Sequence, residues 1–217
     1  MVNLRRVKVI YLHGFASGPR SSKAVLLKER LDREGIACLV PDLNVPDFEH
    51  LRPTRAVELV ASLIDDDCVL VGSSLGALIA LHAAAKSERV RELILLAPAL
   101  MADERWAKML GPRELERWKT EGSRPFFNFV TNTERPIDYG FFEDLMRLAR
   151  PPAPGVPVRV IHGKRDATVP VAFSEEFARA HPGTELTIVD DDHSLLKHVS
   201  LINQLVVERA RGAPRPA

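Results

Sequence analysis

An α/β fold is what the residue pattern of this chain predicts: a mostly parallel sheet of about six strands with helices on both faces, plus a helical, aromatic-rich cap inserted near residues 101–140. Three observations carry that expectation. Six short, largely apolar runs recur along the chain with little polar alternation, as strands do when both of their faces are covered. Stretches of helical spacing separate them, the rhythm of strand–helix–strand units. The rhythm then breaks across residues 101–155, where two sheet strands lie much further apart than a simple crossover requires.

Residues 7–12 form the first run, rich in β-branched side chains, and it stops where His13-Gly14 begins. Ser21 or Ser22 can cap the next helix; Ala24, Leu27 and Leu31 recur at helical spacing, and Gly35 ends it. Residues 36–40 make the second run, broken by Pro41-Asp42-Leu43. Thr54 is the expected cap of a helix reaching Leu63. Residues 68–71 form the third strand, and residues 93–96 a fourth that ends at Ala97-Pro98. After the long interval, residues 158–161 end at His162-Gly163, residues 171–180 read as a helix, residues 186–189 as the last strand and residues 195–210 as the final helix. One domain over residues 1–217 is expected, with the Pro-rich residues 211–217 as a disordered tail.

The chemistry concentrates at the third strand. Gly72-Ser73-Ser74-Leu75-Gly76 follows an apolar strand and opens an Ala/Leu helix, the setting of a sharp strand-to-helix turn that lifts a serine hydroxyl above a sheet. Only glycine leaves room for backbone packed on both sides of such a turn. The G-x-S-x-G pattern alone arises by chance at a rate of roughly 0.07 in a chain of this length, so the flanking strand and helix are what raise it to a candidate nucleophile. Ser73 is the competing hydroxyl but lies at the wrong position between the glycines, which leaves Ser74. A plain tight connection is the bland alternative.

A serine hydroxyl is a weak nucleophile and needs a base and a group to orient that base, both at carboxyl ends of strands in the same sheet. The loop after residues 158–161 carries Asp166, and the loop after residues 186–189 carries His193, giving the chain order Ser74, Asp166, His193. In this reading His193 takes the Ser74 proton and returns it to the leaving group, while Asp166 sets the imidazole tautomer. Asp166 could instead be a turn-former, and His193 a surface histidine with His198 as its nearest substitute. Asp190, Asp191 and Asp192 fit better as caps of the last helix than as the acid or a metal site. The backbone N–H groups of Phe15 and Leu75 are the expected oxyanion hole, with His13 structural at the end of its strand.

Eight of the 13 aromatic residues fall within 101–155, where length alone would place roughly a quarter of them, so an apolar cap over the strand ends is favoured over a polar loop. Trp106, Phe126, Phe127 and Phe141 are the candidate substrate-lining rings, with packing inside the cap as the alternative for each.

Bulk properties narrow the partners. Thirty basic and 29 acidic side chains leave a net charge of +1, so no global field favours nucleic acid. No run approaches the length of a membrane span. Residues 1–10 show no apolar signal region. Cys38 and Cys68 sit within apolar runs as small hydrophobes, which suits a reducing compartment and a cytoplasmic location. No cofactor and no metal are expected; the partner is a small molecule.

Gly72-Ser73-Ser74-Leu75-Gly76, His13-Gly14-Phe15, His162-Gly163-Lys164-Arg165-Asp166 and the Asp192-His193 pair together resemble the α/β-hydrolase superfamily over essentially the whole chain outside the cap. Tyr11-Leu12-His13-Gly14-Phe15, followed by Ser17, Pro19, Arg20, Ser22 and Lys23, with Pro41-Asp42-Leu43 later, is similar to the opening of small YqiA-like bacterial esterases. The resemblance implies a cytoplasmic serine hydrolase cleaving carboxylic esters or thioesters through an acyl-serine intermediate. A non-catalytic or specialised ligand-binding protein on the same fold is the alternative, since fold does not fix function. Haloalkane or epoxide chemistry would need a carboxylate where Ser74 stands.

Overall fold

The computed structural model describes residues 7–212. Strand β1 (Lys8–Leu12) leads through helix α1 (Ser22–Arg33) to a two-residue β2 (Cys38–Leu39), and α2 (Pro53–Ser62) leads to β3 (Cys68–Ser73). Next come α3 (Leu75–Ala84) and β4 (Val90–Leu96). A long excursion follows: α4 (Ala102–Glu121), the antiparallel hairpin β5 (Ser123–Asn128) and β6 (Thr133–Asp138), and α5 (Gly140–Met146). The chain re-enters the sheet at β7 (Val158–Gly163), passes through α6 (Ala172–Ala180) to β8 (Thr184–Val189), and ends in a 3-10 turn (Leu196–His198) and α7 (Val199–Gly212). The main sheet has the order β2-β1-β3-β4-β7-β8 and every pairing in it is parallel.

Alternation along the central strands divides the core in two. Val9, Tyr11, Val69, Val71, Ile94 and Leu96 pack toward α1 and α7, while Ile10, Leu12, Leu70, Leu93 and Leu95 pack toward α2 and α3. Both sets are buried, which is why these strands read as continuous apolar runs. Each such side chain contributes about 1.5–3 kcal/mol by leaving water. Helix α3 packs between the sheet and α2 and is buried almost all round, as a helix without a polar face must be. The registers Leu12↔Gly72, Ser73↔Leu96 and Gly163↔Val189 bring the carboxyl ends of β1, β3, β7 and β8 to one edge of the sheet, and their loops open there together.

Three local expectations are corrected. Thr54 is not the cap of α2: the helix begins at Pro53 with Arg52 at the N-cap position, because proline at the first position needs no donor. Thr54 instead donates its N–H and hydroxyl to the two oxygens of Asp144, at 2.7 and 2.9 Å, so a carboxylate from α5 satisfies that helix end. The final helix is not continuous from residue 195. Leu195 adopts φ 56° and a 3-10 turn precedes α7. Here Asp191 accepts from the Lys197 N–H and from His198 Nδ1, both at 3.0 Å, capping the turn. The cap is helical only in part, since Pro125 and Pro136 stand opposite each other in the β5–β6 hairpin; a two-stranded ribbon has edges on both sides that tolerate proline. Arg211 and Gly212, expected in the tail, close α7, and residues 213–217 lie outside the described residues, as do residues 1–6.

Polar ties seat the cap. Arg52 makes a two-pronged ion pair with Asp138 at 2.7 and 2.9 Å, and the Phe129 N–H donates to the Ala16 carbonyl at 2.8 Å. The second tie joins the hairpin tip to the loop after β1.

Candidate active site

Ser74 stands at φ 53°, ψ −115°, a backbone region that side chains rarely adopt and that persists only where surroundings enforce it. The enforcement is visible at both glycines. A Cβ on Gly72 would lie 2.5 Å from the Ala77 Cα, and one on Gly76 would run into the Leu12 carbonyl oxygen. The strand, the turn and the start of α3 are therefore packed backbone to backbone, leaving Ser74 in its strained corner. The Ser74 N–H donates to the Leu96 carbonyl at 2.9 Å and its carbonyl accepts from Ala99 at 3.1 Å, tying the corner to the end of β4.

Asp166 and His193 meet at the ends of β7 and β8. Glycine is needed at 163 because a Cβ there would strike the Asp191 and Asp192 carbonyl oxygens; the two loops touch through their backbones. His193 Nδ1 lies 2.6 Å from Asp166 Oδ2, and His162 Nε2 lies 3.1 Å from the same oxygen. The other oxygen, Oδ1, accepts the N–H groups of Thr168 and Val169, both at 2.8 Å. Burial pushes this carboxyl up, but hydrogen bonds from His162, His193 and Val169 outweigh it and hold the group below the usual carboxylate range. An ionised Asp166 accepts the Nδ1 proton of His193 and leaves Nε2 with its lone pair, the form of imidazole that can take a proton.

His13 is placed where the sequence reading expected a structural role. Its Nε2 accepts the Leu43 N–H at 3.0 Å, which puts its own proton on Nδ1, 2.9 Å from the Gly14 carbonyl. Burial lowers its pKa. With the Gly14 carbonyl held by His13, the Phe15 N–H, on the opposite side of the same planar peptide, turns the other way. Among the described residues, neither that N–H nor the one of Leu75 at the start of α3 has an acceptor.

Ser74, His193, Phe15 and Leu75 all line one cavity of about 900 Å³. Its roof is the cap: Trp106, Phe126 and Phe141 line it, and each lies 5.1–5.5 Å from the Phe15 ring, distances of packed aromatic pairs. Phe127 is corrected. It is 45% exposed, is not among the lining residues and stacks on Phe129 at 5.1 Å. Neighbours on a strand face opposite ways, so with Phe126 turned inward Phe127 turns out. Trp118, 1% exposed, donates its indole N–H to the Ile137 carbonyl at 2.9 Å and packs behind Trp106 rather than on the cavity. The Asp191–His198 pair is built like Asp166–His193, but neither residue lines the cavity.

The model of an uncharacterised protein family, UPF0227, matches residues 8–207. The chain belongs to UPF0227. It is 29% identical over 203 residues to the human palmitoyl-protein thioesterase ABHD10, mitochondrial, and equally to that of Pongo abelii, the match taking in 86% of this chain. The chain spans 65% of the length of these relatives. Among solved structures it is similar to the α/β hydrolase domain-containing protein 10 from mouse (TM-score 0.77, 23% identity, 93% of this chain and 88% of that one). It is also similar to Est1E from Butyrivibrio proteoclasticus with ferulic acid bound (TM-score 0.75, 21% identity, 93% and 87%). These likenesses show that the chain has the fold of the α/β hydrolases.

In this UPF0227 chain, three residues at the site had no role assigned from sequence. His162 is buried at the end of β7. Its Nε2 faces two acceptors, Asp166 Oδ2 and the Val169 carbonyl at 2.9 Å, so the proton sits there, and Nδ1 accepts from the Ser174 hydroxyl at 2.7 Å. Its signal was the four-residue spacing to Asp166, legible only once both were known to close one turn. Lys23 and Arg105 line the cavity; Lys23 entered the sequence reading only as part of the YqiA-like opening, and nothing in the sequence around Arg105 distinguishes it from a surface cation. Among the described residues, no group of three or more His, Cys, Asp or Glu is placed to hold a metal ion, and no helix is long and apolar enough to cross a membrane.

Proposed function

We propose that this chain is a serine hydrolase that cleaves carboxylic esters or thioesters through an acyl-Ser74 intermediate. The observation that carries the proposal is the 2.6 Å hydrogen bond from His193 to a buried Asp166, made at the wall of the cavity that also holds Ser74 in its strained turn. His193 Nε2 takes the Ser74 proton as Oγ attacks the carbonyl carbon; the carbonyl oxygen becomes an oxyanion facing the Phe15 and Leu75 N–H groups. The tetrahedral species collapses, the bond to the leaving oxygen or sulfur breaks, and the imidazolium hands it the proton. Water then repeats the sequence on the acyl-enzyme, releasing the acid and restoring Ser74. Asp166 holds the tautomer, and His162 holds Asp166.

The aromatic roof supports an apolar acyl group, and the name of the relatives, palmitoyl-protein thioesterase, supports the thioester branch. Two free cysteines within apolar strands support a reducing, cytoplasmic setting. Residues 1–217 are proposed as one domain with its cap at 101–140. The test is a chain-length series of p-nitrophenyl esters with matching acyl-CoA thioesters, run on the native chain and on Ser74→Ala, with fluorophosphonate labelling alongside. Turnover and labelling that both vanish in Ser74→Ala are expected; a variant retaining the native rate would sink the mechanism.

A further inference from the structure

The charge on the cavity wall is one-sided. Arg20, Lys23 and Arg105 line it, and no aspartate or glutamate does. Among the described residues none of these three has a carboxylate within ion-pairing distance. Lys23 Nζ donates to the Ser194 carbonyl at 2.6 Å, and Arg105 Nη1 reaches the Thr168 carbonyl at 3.3 Å while its Nε is buried without an acceptor. Several other partly buried arginines are paired, Arg52 with Asp138, Arg91 with Asp67 and Arg159 with Glu92, whereas Arg124, which lies over the Phe126 ring, also has a buried guanidinium nitrogen without an acceptor. Burial draws the Lys23 ammonium down to about 8, against the raising fields of Asp191, Asp192 and Asp166, and also lowers Arg105, against Asp166. Partly desolvated cations without an ion-paired carboxylate carry a free-energy cost, and here that cost falls on the wall of the cavity that holds Ser74.

Position gives the ligand's orientation. Ser194, the Lys23 acceptor, follows His193, and Thr168, the Arg105 acceptor, is itself hydrogen-bonded to Asp166. Both cations are therefore tied to backbone beside the His193–Asp166 pair, whose imidazole protonates the leaving group, and Arg20 lies at an exposed position on the same cavity.

We propose that Lys23 and Arg105, with Arg20 beside them, form an anion subsite that recognises a carboxylate or phosphate on the alcohol or thiol portion of the substrate. The scissile chemistry rests on the serine-hydrolase reading above; the subsite itself does not. Substrates of this class carry an apolar acyl group for the rings and a negative leaving group for the cations.

The test uses esters of one acyl chain on three matched phenols: para-hydroxybenzoate, para-hydroxyphenyl phosphate and the neutral para-hydroxybenzamide. For the native chain, kcat/KM for at least one anionic ester is expected to exceed that of the neutral ester about tenfold, the effect of one charge-assisted hydrogen bond. In Lys23→Met and Arg105→Met that ratio falls toward one, mainly through KM. A ratio near one in the native chain, or one that both variants leave intact because they slow all esters equally, overturns the subsite. If the native chain hydrolyses none of the three, the hydrolase reading fails. The subsite is then judged by calorimetric binding of the intact esters to Ser74→Ala: tighter binding of an anionic ester, weakened by Lys23→Met, upholds it, and equal binding of all three overturns it.

Discussion

The floor and the roof of the cavity are built from opposite materials. On the floor, directed hydrogen bonds and backbone contacts set the geometry: Asp166 accepts four hydrogen bonds, His13 turns a peptide, and glycines let the Ser74 turn and the β7 and β8 loops touch through their backbones. In the roof, Trp106, Trp118, Phe126, Phe141 and Phe142 sit at centroid distances of 5.2–6.4 Å with no common orientation. Hydrogen bonds are directional and fail when one atom moves, whereas ring packing depends on buried area and fails by degrees. The floor is thus suited to chemistry and the roof to size and shape.

Changes to the floor should therefore be all-or-none and changes to the roof graded. The largest expected effect is on turnover: Ser74→Ala should lower ester hydrolysis by about 10⁴-fold or more, and Asp166→Asn by about 10⁴-fold in kcat through the wrong His193 tautomer. Steady-state rates measure both, with circular dichroism verifying the fold. His198→Ala, at the look-alike pair outside the cavity, should stay within a few-fold of native; a loss as deep as that of Asp166→Asn would erase the distinction drawn between the two pairs.

Stability effects come next. Trp106→Ala should cost about 3 kcal/mol from the void it leaves and shift the preferred acyl length upward, read from a chain-length series. Gly76→Ala should destabilise by about 3 kcal/mol, because the added methyl meets backbone that has nowhere to move; denaturant unfolding gives the number. Phe127→Ser, on the outward face of the same hairpin, should change stability by no more than about 0.5 kcal/mol. A Phe127 effect equal to that of Trp106 would show that strand alternation does not govern the roof.

The smallest effect is in pH dependence. The folded-state pKa of Asp166 lies below its ordinary value, so in acid the unfolded chain binds more protons. The stability this carboxylate contributes is complete above the ordinary aspartate range and is lost as pH falls through the depressed value. Lys23 acts in alkali. Its pKa drops from 10.5 to about 8 on folding, so stability rises with pH between those values as the buried charge is relieved. Asp166→Asn should flatten the acid limb of a plot of stability against pH, and Lys23→Met the alkaline rise.

The centre of the sheet was legible because its strands are buried on both faces, and continuous apolar runs such as Cys68–Ser73 have no other economical reading. Ser74, Asp166 and His193 were legible as candidates because each follows a strand of the main sheet, and parallel strands put those ends on one edge. The hairpin was not, because the antiparallel pairing of β5 and β6 carries the same aromatic composition that a helical cap would. Thr54 was misread because the residue that satisfies the start of α2 is Asp144, 90 positions away.

What the sequence by itself determined are the strands of the main sheet, the turn at Ser74 and the order of the candidate groups, all properties of short segments and of their period. What only the tertiary structure decided are partnerships between distant segments. These are the sharing of one Asp166 oxygen by His162 and His193, the inward turn of Phe126 against the outward turn of Phe127, and the gathering of Lys23 and Arg105 around one cavity. Local preference is set by a residue and its neighbours, but a hydrogen bond or an unpaired charge is defined by what lies across space, and only the packed chain specifies that.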